Sequence, residues 1–215
     1  MLYILSVVFI FVAYLSGSIP VGYLVSRAYG IDVTASGSGR TGGTNVLRAA
    51  GPWAAAFTVA GDMLKGLIPV YLLISAGFPP LVPALAANAA VLGHNYSIFL
   101  GFRGGVGAGT AVGAMAGLSF PIALIAGACG IIGLVTTRYA SILSSSIAVG
   151  GLLAFTVSAL LGYTPYEYIV FGVINVGVIF YALRPNFAHI RAGTERKVGQ
   201  KTENITKIHP DEESS

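Results

Sequence analysis

Charge is what this sequence has least of. Only 9% of its 215 residues are Asp, Glu, Lys or Arg, while 55% are hydrophobic. Soluble domains carry about 25% charged residues, so a water-soluble fold is excluded and the chain reads as an integral membrane protein. The shortage is uneven: residues 1–26 and 104–137 hold no charge at all. Cysteine is almost missing too. Cys129 stands alone in an apolar run, which excludes an internal disulfide and argues against a Cys-based metal site. Histidine is scarce, and His94 has no partner His or Cys at ligand spacing, so no metal is expected; a polar anchor or substrate contact is the better reading of that side chain. The first residues lack a basic stretch and a small-residue cleavage site, so the opening apolar segment is expected to be a retained span. Nor is there an internal repeat of the kind that marks two-halved transporters.

What is present is a series of apolar segments. About 20 apolar residues cross a bilayer, and residues 2–26, 53–76, 81–100, 140–161 and 167–183 meet that requirement. Residues 105–137 are too long for one crossing. Pro121, within "GLSFPIA" (117–123), cannot donate a hydrogen bond inside a helix, so a break is expected there. That gives an all-α membrane protein of seven spans. Arg27, Arg40, Arg48, Arg103, Arg138 and the six Lys/Arg from Arg184 onward then share one side. By the positive-inside rule that side is cytoplasmic, with the N-terminus outside and the C-terminus inside. Residues 1–190 form the polytopic body and 191–215 a polar cytoplasmic tail, expected to be solvated and partly disordered because it mixes both charges without apolar periodicity.

Four polar segments fall on that face: "SGSGRTGGTNVLRAAG" (36–51), "GHNYSIFLGFRGGVGAGT" (93–110), "TTRYASILSSS" (136–146) and "RPNFAHIRAGTERK" (184–197). Glycine lets backbone amides approach an anion, and Arg supplies a planar donor fork. Ser, Thr and Asn add neutral hydrogen bonds. Together they describe a pocket for a phosphorylated molecule at the lipid–water boundary; taken singly, each patch is equally well explained as turns and inside-rule arginines. The first loop lacks the lysine of a Walker A sequence, "GRTGG" and "GGVGAG" do not follow strands, and no serine-hydrolase elbow is present. Asp62 and Lys65, three apart in the second span, share a helical face. They are read first as a mutually neutralised buried pair and second as part of the site.

These segments resemble the bacterial acyl-phosphate:glycerol-3-phosphate acyltransferases, the PlsY family. The resemblance is carried by residues 17–51, 93–111, 139–145 and 186–195, nearly the whole chain. It implies seven helices and transfer of an acyl group from acyl phosphate to the 1-hydroxyl of glycerol-3-phosphate, at the inner face of the cell membrane, giving lysophosphatidic acid. No cofactor is implied; a soluble acyl-phosphate synthase of the PlsX type is an implied partner. By position, Ser38, Asn45 and Arg48 are the expected catalytic residues. Thr44, His94, Arg103, Gly104, Gly105, Gly107, Ser144 and Asn186 are the expected substrate contacts. The chain also departs from the pattern. Val106 stands where the second signature has lysine and Leu183 where the tail signature has histidine, while Thr34, Arg40 and Gly43 replace arginine, asparagine and alanine. Arg40 and Arg103 are the cations left to stand in for the lysine, neither at its position. The competing readings are a transporter or flippase for a phosphorylated solute or lipid, and a catalytically impaired lipid-binding paralogue.

Overall fold

A computed structural model describes residues 2–200 and 205–207. Among them nine α-helices follow in order: α1 (Leu2–Ser18), α2 (Val21–Ala28), α3 (Gly43–Ala50), α4 (Pro52–Ser75), α5 (Leu81–Asn95), α6 (Ala108–Leu118), α7 (Phe120–Thr137), α8 (Ala140–Leu160) and α9 (Tyr168–Arg191). The all-helical expectation is met. Five segments are long and apolar enough to cross a membrane: residues 2–28 and helices α4, α7, α8 and α9. α5 and α6 are shorter, at 15 and 11 residues. Rising about 1.5 Å per residue, they measure about 22 and 16 Å against a hydrocarbon core of about 30 Å. Both are largely buried among the other helices, where backbone ends find protein partners instead of lipid.

The expected break falls where Pro121 puts it. Ser119 is extended (φ −163°, ψ 108°), and Pro121 is the second residue of α7, where its missing N–H has no intrahelical partner to lose. The first segment corrects the expectation of one unbroken helix over 2–26. Pro20 ends α1 at Ser18, and the chain restarts as α2 at Val21. Carbonyls freed by that break must be satisfied. Ser97 donates its hydroxyl to the Ser18 carbonyl at 2.5 Å, and Lys65 Nζ donates to the Ile19 carbonyl at 3.0 Å. α9 runs past the expected end at 183 and through Pro185 to Arg191.

Small residues set the packing. A side chain at Gly17 would strike the backbone of Ala90, and one at Gly93 the backbone of Tyr14, so α1 and α5 cross at backbone contact. Gly66 and Gly113 do the same between α4 and α6. Lipid tails are as apolar as leucine, so close packing of this kind, not hydrophobic exclusion, holds membrane helices together. The main core gathers Met115, Ile122, Phe155, Phe171, Ile179 and Leu183 from α6 to α9, with edge-to-face contacts between Phe155 and both Tyr168 and Phe171.

Candidate active site

The glycine-rich loop between α2 and α3 is built from within. Asp32 Oδ1 accepts hydrogen bonds from the Thr34 amide (2.8 Å), the Thr34 hydroxyl (2.6 Å) and the Ala35 amide (3.3 Å). Burial alone would raise the Asp32 pKa; the Thr34 and Ala35 hydrogen bonds and the Arg27 charge outweigh it and hold the carboxyl below its ordinary value. Val33, Val46 and Ala54, all fully buried, pin the loop to the bundle. Asn45 closes it. Its Nδ2 donates to the carbonyls of Val33, Ser36 and Arg40, and its Oδ1 accepts from the Ser38 amide. The Asn45 amide is thus engaged inside the loop and sets where Ser38 and Arg40 stand.

α3 begins at Gly43, and Gly42, Gly43, Thr44 and Asn45 line a cavity with its first turn. The first amides of a helix have no intrahelical acceptor and carry partial positive charge. One turn on, Arg48 lines the same cavity, its Nη2 donating to the Arg196 and Lys197 carbonyls at 3.1 and 3.3 Å. Its Nε is buried and has no hydrogen-bond partner among the described residues.

The second glycine run folds over the end of α5. The Gly105 amide donates to the His94 carbonyl at 3.2 Å. A side chain at Gly104 would meet that carbonyl, one at Gly105 the His94 ring, and one at Gly107 the Asn95 side chain. Close packing on α5 therefore demands these glycines. Gly107 (φ 91°) turns the chain into α6. The first turn of α6 opens on the cavity through Gly107, Ala108 and Gly109, a second positive helix end. His94 is buried, with Nδ1 3.4 Å from Asp62 Oδ1, and the same oxygen lies 2.9 Å from Lys65 Nζ. Asp62 is thus both a partner of Lys65 and part of the cavity wall.

The far wall comes from α8, α9 and the chain after α9. Asn186 Nδ2 donates to Glu195 Oε1 at 2.8 Å, and the Ser141 hydroxyl donates to the same oxygen at 3.3 Å. Arg40 reaches across from the first loop, donating to Asn186 Oδ1 (2.9 Å) and the Ala182 carbonyl (2.7 Å). Burial lowers the pKa of Arg40, partly countered by Glu195. Burial and the Arg196 charge do the same to Arg48, again against Glu195. An arginine starts from so high a value that both remain cations.

These parts enclose about 670 Å³. The cavity lies where α4, α6 and α8 begin and α5, α7 and α9 end, so segments far apart in sequence meet at one end of the bundle. Among the expected site residues, Ser38, Thr44, Asn45, Arg48, His94, Gly105, Gly107, Ser144 and Asn186 line it. Arg103 does not: it is exposed in the turn after α5 and pairs with Ser97 through the backbone. Gly104 lies behind the wall against His94. Thr194, Glu195 and Arg196 fall both in the 191–215 tail expected to be solvated and in the fourth polar segment, 184–197, expected at the pocket; they line the cavity, as the second expectation has it. The wall carries Arg40, Arg48 and Arg196 against Glu195 and the Lys65-paired Asp62, an excess of positive charge. On its other side it turns apolar through Val59, Met63, Val112, Ile131, Leu143 and Ile147. Ile131 is 61% exposed on the flank of the bundle, so the apolar part reaches the outer surface.

Comparison with known proteins gives one consistent result. A family model described as glycerol-3-phosphate acyltransferase matches residues 7–193. A protein of that name from Rubrobacter xylanophilus is 40% identical over 198 residues, covering 92% of this chain and 98% of its own. Its namesake from Thermus thermophilus is 41% identical over 192 residues, covering 89% and 94%. The crystal structure of PlsY (YgiH), an integral membrane glycerol 3-phosphate acyltransferase in its glycerol 3-phosphate form, superposes with a TM-score of 0.82 at 30% identity, covering 90% of this chain and 96% of that one. The lysophosphatidic acid form of the same protein superposes at 0.81.

Proposed function

Because this chain belongs to the glycerol-3-phosphate acyltransferase family, we propose that its acyl donor is acyl phosphate and that the cavity described above is where transfer takes place. The chain is a glycerol-3-phosphate acyltransferase of membrane phospholipid synthesis. One observation carries the rest of the reading: two helix N-termini and the Arg48 guanidinium open into a single cavity that continues into an apolar furrow. Two phosphorylated substrates, one with a long hydrocarbon tail, need that combination.

In this reading Arg48, Thr44 and the first amides of α3 hold the phosphate of glycerol-3-phosphate. Ser38 hydrogen-bonds its 1-hydroxyl. The α6 amides beyond Gly105, with Ser144 and Asn186, hold the phosphate of the donor while its acyl chain lies along Ile131 and Ile147. His94 supports the glycine run from beneath, and Asn45 fixes the loop that carries Ser38. The hydroxyl oxygen attacks the acyl carbon, and the bond from that carbon to the bridging phosphate oxygen breaks. The hydroxyl proton passes to a phosphate oxygen, giving lysophosphatidic acid and inorganic phosphate. Fixed donors aimed at such developing charge contribute about 3–4 kcal/mol each, and holding both reactants side by side adds several more.

Seven crossings with the N-terminus outside set the cavity at the cytoplasmic face, supported by the placement of Arg27, Arg40, Arg48, Arg103, Arg138 and the tail cations. A soluble acyl-phosphate synthase of the PlsX type, delivering the donor there, is the partner this chemistry requires. The test is purified protein supplied with both substrates. Release of phosphate together with lysophosphatidic acid supports the reading. Transfer only from a different acyl donor overturns the donor assignment. Binding without product marks an impaired paralogue, and solute movement across liposomes without product marks a transporter.

A further inference from the structure

Val106 and Leu183 line the cavity and belong to the same apolar cluster. Leu183 is 1% exposed in the core, with Val106 packed against that cluster. This stretch of wall, between the α6 N-terminus and α9, therefore offers no charge of its own to a phosphate. Arg40 is placed to supply one. Its guanidinium sits over the same turn of α9, bonded on one side of Leu183 to the Ala182 carbonyl and three residues beyond Leu183 to Asn186. Two contacts use two of its five N–H groups and leave donors for a ligand in the cavity that Arg40 also lines. The two contacts fix the fork in place before any ligand arrives, which limits the entropy lost on binding. Arg48 holds a different position, tied to the backbone at 196–197. The two guanidiniums thus serve separate parts of the cavity.

We propose that Arg40 is a binding residue for the phosphate of the acyl-phosphate donor, providing from the first loop the cation that the wall at Val106 and Leu183 does not. This rests on the transfer reaction proposed above. In that step the phosphate gains charge as its bond to the acyl carbon breaks, so a fixed guanidinium beside it acts on both donor binding and leaving-group departure.

The experiment compares the wild type with Arg40→Ala, Arg40→Asn, Val106→Lys and the double variant Arg40→Asn/Val106→Lys, using steady-state kinetics with each substrate varied in turn. Loss of Arg40 is expected to lower kcat/KM for acyl phosphate by about 100-fold, with KM for glycerol-3-phosphate within about threefold of wild type. Adding Val106→Lys to Arg40→Asn returns at least tenfold of that loss, which a purely structural role for Arg40 would not allow. In the presence of Arg40, Val106→Lys alone gives no gain. The proposal is overturned if Arg40→Ala keeps wild-type kinetics, if KM for glycerol-3-phosphate carries the loss instead, or if the double variant is no better than Arg40→Asn. An inactive wild type overturns the transfer reaction itself, a result distinct from all of these.

Discussion

Lys65 Nζ stands 2.9 Å from Asp62 Oδ1 and 3.0 Å from the Ile19 carbonyl, which Pro20 frees from helical pairing. A cation buried in α4 thus serves a carboxylate on its own helix and a broken backbone on another. Removing one partner of a buried ion pair costs about 3–5 kcal/mol, more than replacing both. Asp62→Asn and Lys65→Met are each expected to reduce folded yield and detergent melting temperature, with Lys65→Met the worse because the Ile19 carbonyl also loses its charged donor and keeps only the Val21 amide. Asp62→Asn should lower specific activity as well, since it loosens His94 beneath the glycine run. Melting curves beside activity per folded molecule check both effects. Unchanged melting would show that the pair is not structural.

Asn45 and Ser38 divide stability from chemistry within one loop. Asn45→Ala takes the side-chain donor from the Val33, Ser36 and Arg40 carbonyls; Val33 and Ser36 keep the Ser36 and Gly39 amides, so the Arg40 carbonyl loses most. At about 1–3 kcal/mol for each buried group left unsatisfied, it should lower both melting temperature and activity. Ser38 is exposed at the cavity rim, so Ser38→Ala should leave melting unchanged while reducing kcat. Equal melting losses for the two would overturn this division.

How much of this was legible in the sequence depends on the range of the cause. Pro121 predicts the break between α6 and α7 because proline acts on its own turn. Pro20 acts in the same local way, with Ser16, Gly17, Ser18 and Gly22 clustered around it, but the segment 2–26 carries no charge and its length suits one crossing, so that signal is outweighed. The meeting of four polar segments follows from their cations and the inside rule. The placement of Arg103 outside the cavity does not, since it depends on how the turn after α5 folds on Ser97. The tail is the clearest case. Residues 194–197 belong to the fourth polar segment and so are expected on the pocket's face, but their mixed charge without apolar period also reads as solvated tail. Their order comes from Arg48, 148 residues before Arg196, and from Asn186 and Ser141 gripping Glu195. Arg138 adds to it by accepting the Val198 amide at its carbonyl. No local pattern announces contacts of that span. The expected tail residues 201–204 and 208–215 lie outside those described.

Arg48 offers a sharper kinetic test. Arg48 lines the cavity, and its Nε is buried without a hydrogen-bond partner among the described residues. Arg48→Ala is expected to reduce kcat/KM by about 10²–10³, with the larger share in KM for glycerol-3-phosphate. Arg48→Lys should recover only part of this, because an ammonium cannot reproduce a planar fork. The same loss in KM for acyl phosphate would reassign Arg48 to the donor.

Orientation is tested by chemistry at the two ends of the bundle. Gly77 and Tyr163 lie in the connections away from the cavity, after α4 and α8; Ser38 and Lys197 lie at the cavity end. In a Cys129→Ser background, single cysteines at these four positions can be challenged with a membrane-impermeant maleimide on intact cells. Positions 77 and 163 should react at once; 38 and 197 should react only after the membrane is opened. Seven crossings that start outside require that pattern, because α4, α6 and α8 then leave the inner face and α5, α7 and α9 return to it. Labelling of 38 and 197 from outside, with 77 and 163 protected, would invert the protein and place the cavity beyond the reach of a cytoplasmic donor. Labelling that splits Ser38 from Lys197 would break the cavity itself, since Arg40 and Asn186 could no longer meet.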